Sequence, residues 1–181
     1  ADIVGAEAAR LRGAGAQLVL LSAHAGGGCD SFRDAHDLSS CDPNAEIFDL
    51  ARDLPRGAVD AIVAGHTHAG LAHEVAGIPI VQSYWGGRSF GRIDLQVERT
   101  TGRVVSATPF APRDICLHED PLARGCLAAA APGATRSVYE GQAVAEDAAI
   151  LRAMEPALAR VRALQETPLG VMLDGTLART G

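Results

Sequence analysis

The amino-acid sequence predicts an α/β fold in which helices pack on a mixed β-sheet. Residues 1–66 alternate helical patterns with short, continuous apolar runs, which is typical of parallel strands connected by helices. Residues 91–108 instead alternate polar and apolar side chains, which is typical of antiparallel strands with one exposed face. An apolar stripe of helical period at residues 146–166 predicts a long helix after the sheet.

Start and stop signals define the elements of the first half. In chain order, the patterns predict a helix at residues 3–13, a strand at 16–24, a helix at 42–54 and a strand at 59–65. Gly13 and Gly15 end the first helix, and Asp42 is expected to cap the second, with Pro43 at its first position. Both strands are predicted to be buried on both faces.

The second half predicts strands at residues 77–85 and 91–98 and, after a turn at Thr101–Gly102, a returning strand that completes a hairpin. Residues 109–140 are rich in proline and are predicted to be mostly loop. Within the long helix, Pro156 is expected either to kink the helix or to mark its true start.

Composition narrows the class of partner. The formal net charge of -6 argues against a nucleic-acid polymer or an anionic membrane surface as the main partner. Small anionic substrates stay possible if bound cations offset that charge. No stretch is long enough to span a bilayer, and the N-terminus lacks the pattern of a signal peptide. Both ends of the sequence look like cuts, so we expect a piece of a longer protein.

Four cysteines fall in two local pairs, Cys29 with Cys41 and Cys116 with Cys126. Three connectivities are possible, and we predict the two local pairings, each of which closes a short polar loop. Four reduced core cysteines are the alternative, although the flanking residues are polar. A zinc site is less favoured because no Cys-x-x-Cys spacing occurs. Paired cysteines indicate an oxidising compartment, so we expect a periplasmic or secreted protein.

Histidines follow the two predicted parallel strands. His24 ends the first strand, and Gly65-His66-Thr67-His68 ends the second, so all three imidazoles are expected at one sheet edge. If His66 and His68 are extended, their side chains leave the same face about 6.6–7 Å apart, which suits ligands of two neighbouring metal ions. The alternative is a polar turn with surface histidines. The three histidines together favour a metal site.

The other candidate residues have less specific predicted roles. His36 and His118 are expected to be solvated, and His73 is predicted to be a strand residue because "LAHEV" alternates. Arg88 and Arg92 either meet an anionic group or lie on a solvated strand face. The aromatic residues Trp85, Tyr84 and Phe90 are expected in the core rather than on a base-stacking platform.

The segments "LLSAHAGG", "VDAIVAGHTHAG" and "IPIVQSYWGGRSFGRIDLQVE" resemble the metallophosphoesterase domain of the bacterial 5′-nucleotidase family, within the calcineurin-like phosphoesterases. The resemblance is strong over residues 15–108 and weaker beyond. It implies part of a four-layer sandwich: the C-terminal half of that domain at residues 1–145, a linker helix at 146–166, and the start of a truncated substrate domain at 167–181.

The resemblance also implies a two-metal hydrolysis of phosphate esters. His24 and His66 would bind one divalent ion, such as zinc or manganese, and His68 a second ion. The partner would be a small-molecule phosphate ester, as in nucleotide catabolism. The family's upstream Asp-x-His, bridging Asp and Asn-His-Glu blocks have no counterpart in this sequence, so the chain alone is expected to be inactive and to contain no catalytic residue beyond the metal ligands.

Two alternatives stay open at this point. One is a related hydrolase acting on nucleotide sugars, cyclic nucleotides or thiosulfate esters, since the same three histidines would serve it. The other is a non-catalytic module that binds a metal or ligand on the same sheet. Substrate, metal identity and oligomeric state do not follow from the sequence.

Overall fold

A computed structural model describes residues 1–122, 125–129, 131–168 and 170. The chain forms two compact units. The first comprises Ala1–Cys116 together with Cys126, and the second comprises Leu117–Leu122 and the chain from Leu127 onward. The predicted metal-site histidines all belong to the first unit.

The first unit contains α1 (Asp2–Gly13), β1 (Leu20–Ser22), α2 (Glu46–Asp53), β2 (Ala61–Val63), β3 (Gly70–Val75), β4 (Ile78–Ser83), β5 (Ser89–Val97) and β6 (Val104–Asp114). Four strands form a sheet in the order β1-β2-β4-β3. The β1–β2 and β2–β4 pairs are parallel, whereas β3 and β4 form an antiparallel hairpin. Its turn residues Ala76 and Gly77 both have positive φ, which the twist of a tight hairpin requires. The predicted α/β fold with a mixed sheet is confirmed.

One apolar core joins α1 and α2 to the sheet. Its largest fully buried aliphatic and aromatic side chains are Ile47, Phe48, Ile62, Leu71 and Ile80. An ion pair fixes the start of the parallel strands, because the carboxylate of Asp60 accepts from Arg12 at 2.6 Å and from the Val19 amide at 2.8 Å. These contacts anchor α1 at the amino ends of β1 and β2, opposite the edge that bears the histidines.

The β5–β6 hairpin packs on β3 and β4 as a second layer. Gly91 allows the close approach, since a Cβ atom there would lie 2.7 Å from the hydroxyl of Ser83. The hairpin and its turn near Gly102 match the sequence prediction, although β6 extends to Asp114, into the region expected to be loop.

Two sequence predictions about the first unit are wrong in detail. Strand β1 is not buried on both faces: Leu20 is 61% exposed, because β1 is an edge strand and one face lacks a cover among the described residues. Helix α2 begins at Glu46 rather than Pro43. The Asp42 carboxylate instead accepts from the Asn44 amide, which forms a separate turn before the helix.

The second unit contains short strand pairs and a helix. Strand β7 (His118–Glu119) pairs with β8 (Thr135–Arg136), and β9 (Val138–Tyr139) pairs with β10 (Gln142–Ala143). Helix α3 spans Ala148–Gln165, where Asp147 caps its first turn and Pro156 lies inside it. The helix therefore does not start at Pro156, one of the two predicted alternatives.

The apolar stripe of α3 is exposed: Leu151, Met154, Leu158 and Val161 are 37–49% accessible. The domain assignment at 1–145 and 146–166 stays a prediction. The start of a substrate domain expected at residues 167–181 lies outside the described residues, apart from Thr167, Pro168 and Gly170. In the part of the chain that the structure describes, no helix is both long and apolar enough to cross a membrane.

Candidate metal centre

Parallel pairing of β1 and β2 brings His24 and His66 together. His24 follows Ser22 by two residues and His66 follows Val63 by three, and Ser22 pairs with Val63 in the sheet register. The two imidazoles meet edge to face with ring centroids 4.9 Å apart. The Nδ1 atom of His66 lies 3.1 Å from the Nε2 atom of His24. The sequence analysis expected three imidazoles at this sheet edge, and the structure brings those of His24 and His66 together there.

This separation fits two ligands of one cation. Zinc binds imidazole nitrogens at about 2.0–2.1 Å, so two such nitrogens in a tetrahedral shell lie about 3.3 Å apart. The observed 3.1 Å is close to that value. Without a cation, one of these two nitrogens carries a hydrogen atom and donates it in a hydrogen bond to the other. A metal ion bound by both nitrogens would displace that hydrogen. Both rings are exposed and accessible to an ion from solvent.

His68 lies in a different environment from the other two. Its ring stacks on the indole of Trp85 at a centroid distance of 5.8 Å. Among the described residues, His24, His66 and His68 do not form a trio of ligand atoms within 4.8 Å of one another. The structure therefore brings two of the three predicted ligands together, and the assignment of His68 to a second ion stays a prediction.

The backbone of the Gly-His-Thr-His segment is not extended. His66 and His68 have φ of 86° and 57°, so the premise that both are extended is wrong. Positive φ is uncommon for residues other than glycine and costs on the order of 1 kcal/mol or more for each residue. The chain must turn here between β2 and β3, which are separated in the sheet by β4. Strained backbone of this kind is concentrated at functional sites.

Partly buried hydrogen bonds hold the two histidine-bearing loops together. The hydroxyl of Thr67 donates to the carbonyl oxygen of Gly27 at 2.6 Å. The side-chain amide of the buried Gln82, at the end of β4, donates to Thr67 Oγ1 and to the Ala69 carbonyl, each at 2.8 Å. Sequence analysis missed both positioning residues. The polar Gln82 at the end of an otherwise apolar strand was the signal that could have found them.

The loop after β1 must also be small. A Cβ atom at Gly26 would lie 2.3 Å from the carbonyl oxygen of Gly65, which is closer than real Cβ atoms come. The same loop is held by Glu46 at the start of α2, whose carboxylate accepts from the Gly26 amide at 3.0 Å. Glycine at position 26 is therefore required for the two loops to come close enough for the imidazoles to meet.

A group of aromatic and cationic side chains borders His68. The guanidinium of Arg88 lies 4.0 Å from the ring centroid of Trp85 and 5.7 Å from that of Tyr84, which are cation–π distances. Trp85 is 47% exposed, so its predicted place in the core is wrong, whereas Tyr84 and Phe90 are half-buried. Arg92, by contrast, forms an ion pair with Asp94 at 2.6 Å.

The other candidates keep roles outside this centre. His36 is exposed and lies 3.8 Å from the Glu74 carboxylate, and His118 is half-buried in β7. His73 is a strand residue as predicted, in β3, and is fully buried. The two predicted cysteine pairs, Cys29–Cys41 and Cys116–Cys126, lie at disulfide distance.

Comparisons with known proteins show a weak likeness to solved structures. No protein-family profile matches the chain, and no curated protein matches it. Among solved structures, the chain is similar to the calcineurin-like phosphoesterase YfkN from Bacillus subtilis, with 22% sequence identity and a TM-score of 0.44. The match covers 60% of this chain and 34% of that one. Since this likeness is low, the functional proposal is based on the geometry of the site.

Proposed function

We propose that this chain supplies the histidine half of a divalent-metal centre in a hydrolase of phosphate esters, of the 5′-nucleotidase type. The observation that carries the proposal is the 3.1 Å approach of His66 Nδ1 to His24 Nε2 at the carboxyl end of two parallel strands. Ligand sites of open α/β sheets occur at this edge. The positive φ of His66 and the hydrogen bond between Gln82 and Thr67 support the proposal, because strained backbone is concentrated at functional sites.

His24 and His66 would hold one ion, and His68 would hold a second. Two divalent ions supply Lewis-acid charge and an activated water for attack on phosphorus. The protein's own part is to fix the imidazoles: Gln82 and Thr67 hold the loops, and stacking on Trp85 orients the ring of His68. Zinc and manganese both accept imidazole nitrogen, so either suits this donor set.

The substrate we propose is a small phosphate ester such as a nucleotide. Arg88 is exposed beside Trp85 and His68, where its guanidinium can pair with a phosphate oxygen. Trp85, which is 47% exposed, contacts both His68 and Arg88 and so keeps them close together. A net charge of -6 would otherwise repel such an anion, so bound cations and Arg88 together would have to attract it.

We further propose that the 181-residue chain is inactive by itself. Among the described residues, no carboxylate joins His24 and His66 in a trio of ligand atoms within 4.8 Å. Neutral histidines do not offset the repulsion between two neighbouring dications, and zinc normally takes four ligands. The remaining ligands and the group that protonates the leaving oxygen would come from residues encoded upstream of Ala1.

A periplasmic or secreted location is part of the proposal. Two disulfide-distance pairs within one short chain favour an oxidising compartment, since cytosolic thiols are kept reduced. Mass spectrometry of a non-reduced digest of the protein from its native host tests this. Free thiols at Cys29, Cys41, Cys116 and Cys126 would contradict the proposed location.

The decisive experiment for the proposed function is an activity assay on a chain extended by the residues encoded upstream. We expect hydrolysis of nucleotides that requires added Mn²⁺ or Zn²⁺, and we expect His66→Ala to abolish it. His36→Ala is the matched control, because His36 is an exposed loop histidine away from this edge. Metal-dependent turnover by the 181-residue chain alone would contradict the proposed division of the site.

A second candidate function is a non-catalytic metal-binding module. The absence of a carboxylate from the His24–His66 pair among the described residues favours it. Inactivity of the extended chain on nucleotides, nucleotide sugars, cyclic nucleotides and thiosulfate esters, with metal binding retained, would support this module over the hydrolase.

A further inference from the structure

His73 is a buried histidine that no hydrogen bond explains. It lies in β3 with no exposed surface, and neither ring nitrogen has a hydrogen-bond partner among the described residues. Burying a polar group without a partner costs about 1–3 kcal/mol, so an apolar side chain would serve the core better. Such a group requires an explanation beyond packing.

The neighbours of His73 are the sulfur atoms of Cys29 and Cys41. One ring nitrogen and the two Sγ atoms all lie within 4.8 Å of one another. Among the described residues, this is the only trio of histidine, cysteine or carboxylate ligand atoms that close. Backbone contacts hold the trio in place. The Cys29 amide donates to the carbonyl oxygen of Gly70 in β3 at 2.9 Å, and Cys29 and Cys41 form an antiparallel β-bridge.

We propose that Cys29, Cys41 and His73 form a zinc site once the Cys29–Cys41 disulfide is reduced. In the oxidised chain the two sulfur atoms are bonded to each other and cannot bind zinc as thiolates. Two thiolates and one imidazole are a donor set that zinc prefers, and three protein ligands leave one position for solvent. The site is distinct from the His24–His66 pair and does not depend on the proposed phosphoesterase function. The three ligand atoms come together through the fold and not through a Cys-x-x-Cys spacing.

The chemistry balances in two steps. A dithiol reduces the Cys29–Cys41 bond: the disulfide takes two electrons and two protons and becomes two thiols, while the dithiol is oxidised to its own disulfide. Zinc then replaces the two thiol protons, which pass to solvent, and His73 donates a lone pair from a ring nitrogen. The sulfur atoms must move from bonding distance to about 3.8 Å apart, which rotation of the two cysteine side chains can supply.

Burial and nearby carboxylates act on His73 in opposite directions. Burial lowers the pKa of His73 below its ordinary value of 6.5, against the opposing effect of the Asp37 and Asp34 charges. The ring is therefore neutral at pH 7, as a metal ligand must be. Asp34 and Asp37 also contribute negative charge close to the trio, which favours an incoming zinc ion. Cys41 is the least buried of the three residues.

The test is a cobalt titration of the 181-residue chain, since tetrahedral cobalt bound to thiolate has a strong charge-transfer band. The Cys116→Ser/Cys126→Ser variant is used so that the band reports on Cys29 and Cys41 alone. We expect the band after reduction with a phosphine and its absence in the oxidised chain. His73→Asn should weaken cobalt binding about tenfold or more, whereas His36→Asn, at an exposed position between Cys29 and Cys41, should leave it unchanged.

Two results would overturn the proposal: no thiolate band in the reduced variant, or an affinity that His73→Asn does not change. Near-ultraviolet circular dichroism checks that each reduced chain is folded. Should His73→Asn fail to fold, the ring-nitrogen NMR signal of His73 in the reduced Cys116→Ser/Cys126→Ser chain decides the question. A shift of that signal on addition of zinc supports the site, and an unchanged signal contradicts it.

Discussion

The hydroxyl of Thr67 donates a 2.6 Å hydrogen bond to the carbonyl oxygen of Gly27, and this contact joins the loop after β1 to the loop after β2. Thr67 stands between His66 and His68, and its hydroxyl also accepts a hydrogen bond from the buried Gln82. The candidate metal centre therefore depends on this small hydrogen-bond network as much as on the histidines themselves.

We predict that Gly26→Ala disrupts the candidate metal centre. The added methyl group would lie 2.3 Å from the carbonyl oxygen of Gly65, so the two loops must separate. We expect a loss of about 1–3 kcal/mol in the free energy of unfolding, measured by urea denaturation, and weaker zinc binding. Gly65→Ala is the matched control, since its nearest contact would be an ordinary 3.8 Å. Equal behaviour of the two variants would contradict the steric argument.

We also predict that Gln82 and Thr67 act as one unit. Gln82→Leu should cost about 1–3 kcal/mol of stability because it leaves the Ala69 carbonyl and Thr67 hydroxyl without their donor. Thr67→Val should cost about 1 kcal/mol by removing the bond to Gly27. A double-mutant cycle should then give a coupling of about 0.5 kcal/mol or more. Strict additivity would show that the two side chains are independent.

Replacing His73 should stabilise the protein. His73→Leu removes two buried nitrogen atoms that lack partners and keeps a side chain of similar size, so the free energy of unfolding should rise by about 1 kcal/mol at pH 7.5. Thermal or urea unfolding of the oxidised chain measures this. A substantial loss of stability would mean that the ring nitrogens make favourable contacts in the folded protein.

The same residue predicts a pH dependence. Above about pH 6.5 the His73 ring is neutral in both the folded and the unfolded chain, so it does not make the free energy of unfolding depend on pH. As the pH falls below 6.5, the unfolded chain takes up a proton that burial keeps from the folded chain, so stability declines down to the lowered folded pKa. The charges of Asp37 and Asp34 oppose this effect and make it smaller.

His73→Leu should make the stability profile flatter between pH 6.5 and 5 than that of the unmodified chain. His36→Leu, at an exposed position, should leave the slope as it is. A wild-type slope retained in His73→Leu would assign the pH dependence to another group.

Local patterns were sufficient for the order of the elements in the first unit. The apolar runs that end at His24 and His66 predicted parallel strands, because a continuous apolar run reports the burial of neighbouring residues and needs no information from distant parts of the chain. The extent of β1 and the exposure of Leu20 could not be predicted in this way, since they depend on which strand lies at the sheet edge. The start of α2 was misplaced because Asp42 makes a turn that imitates a helix cap.

The sequence was sufficient to identify the candidate metal ligands, but it did not predict their backbone geometry. Strand ends placed His24 and His66 at one edge, but the positive φ of His66 and His68 arises from the path of the chain over β4, which no local pattern contains. The His73–Cys29–Cys41 trio was missed for the same reason, because its members lie on a strand and a distant loop.

The most direct test of the central claim is a zinc titration of the oxidised 181-residue chain, followed by the side-chain nitrogen NMR signals of its histidines. We expect His24 and His66 to shift together, with weak affinity because few ligands are present, and His36 to stay unchanged as the internal control. In His66→Ala, the response of His24 should be lost or greatly weakened. Zinc that leaves His24 and His66 unperturbed, or that shifts His24 equally in His66→Ala, would contradict a shared metal site.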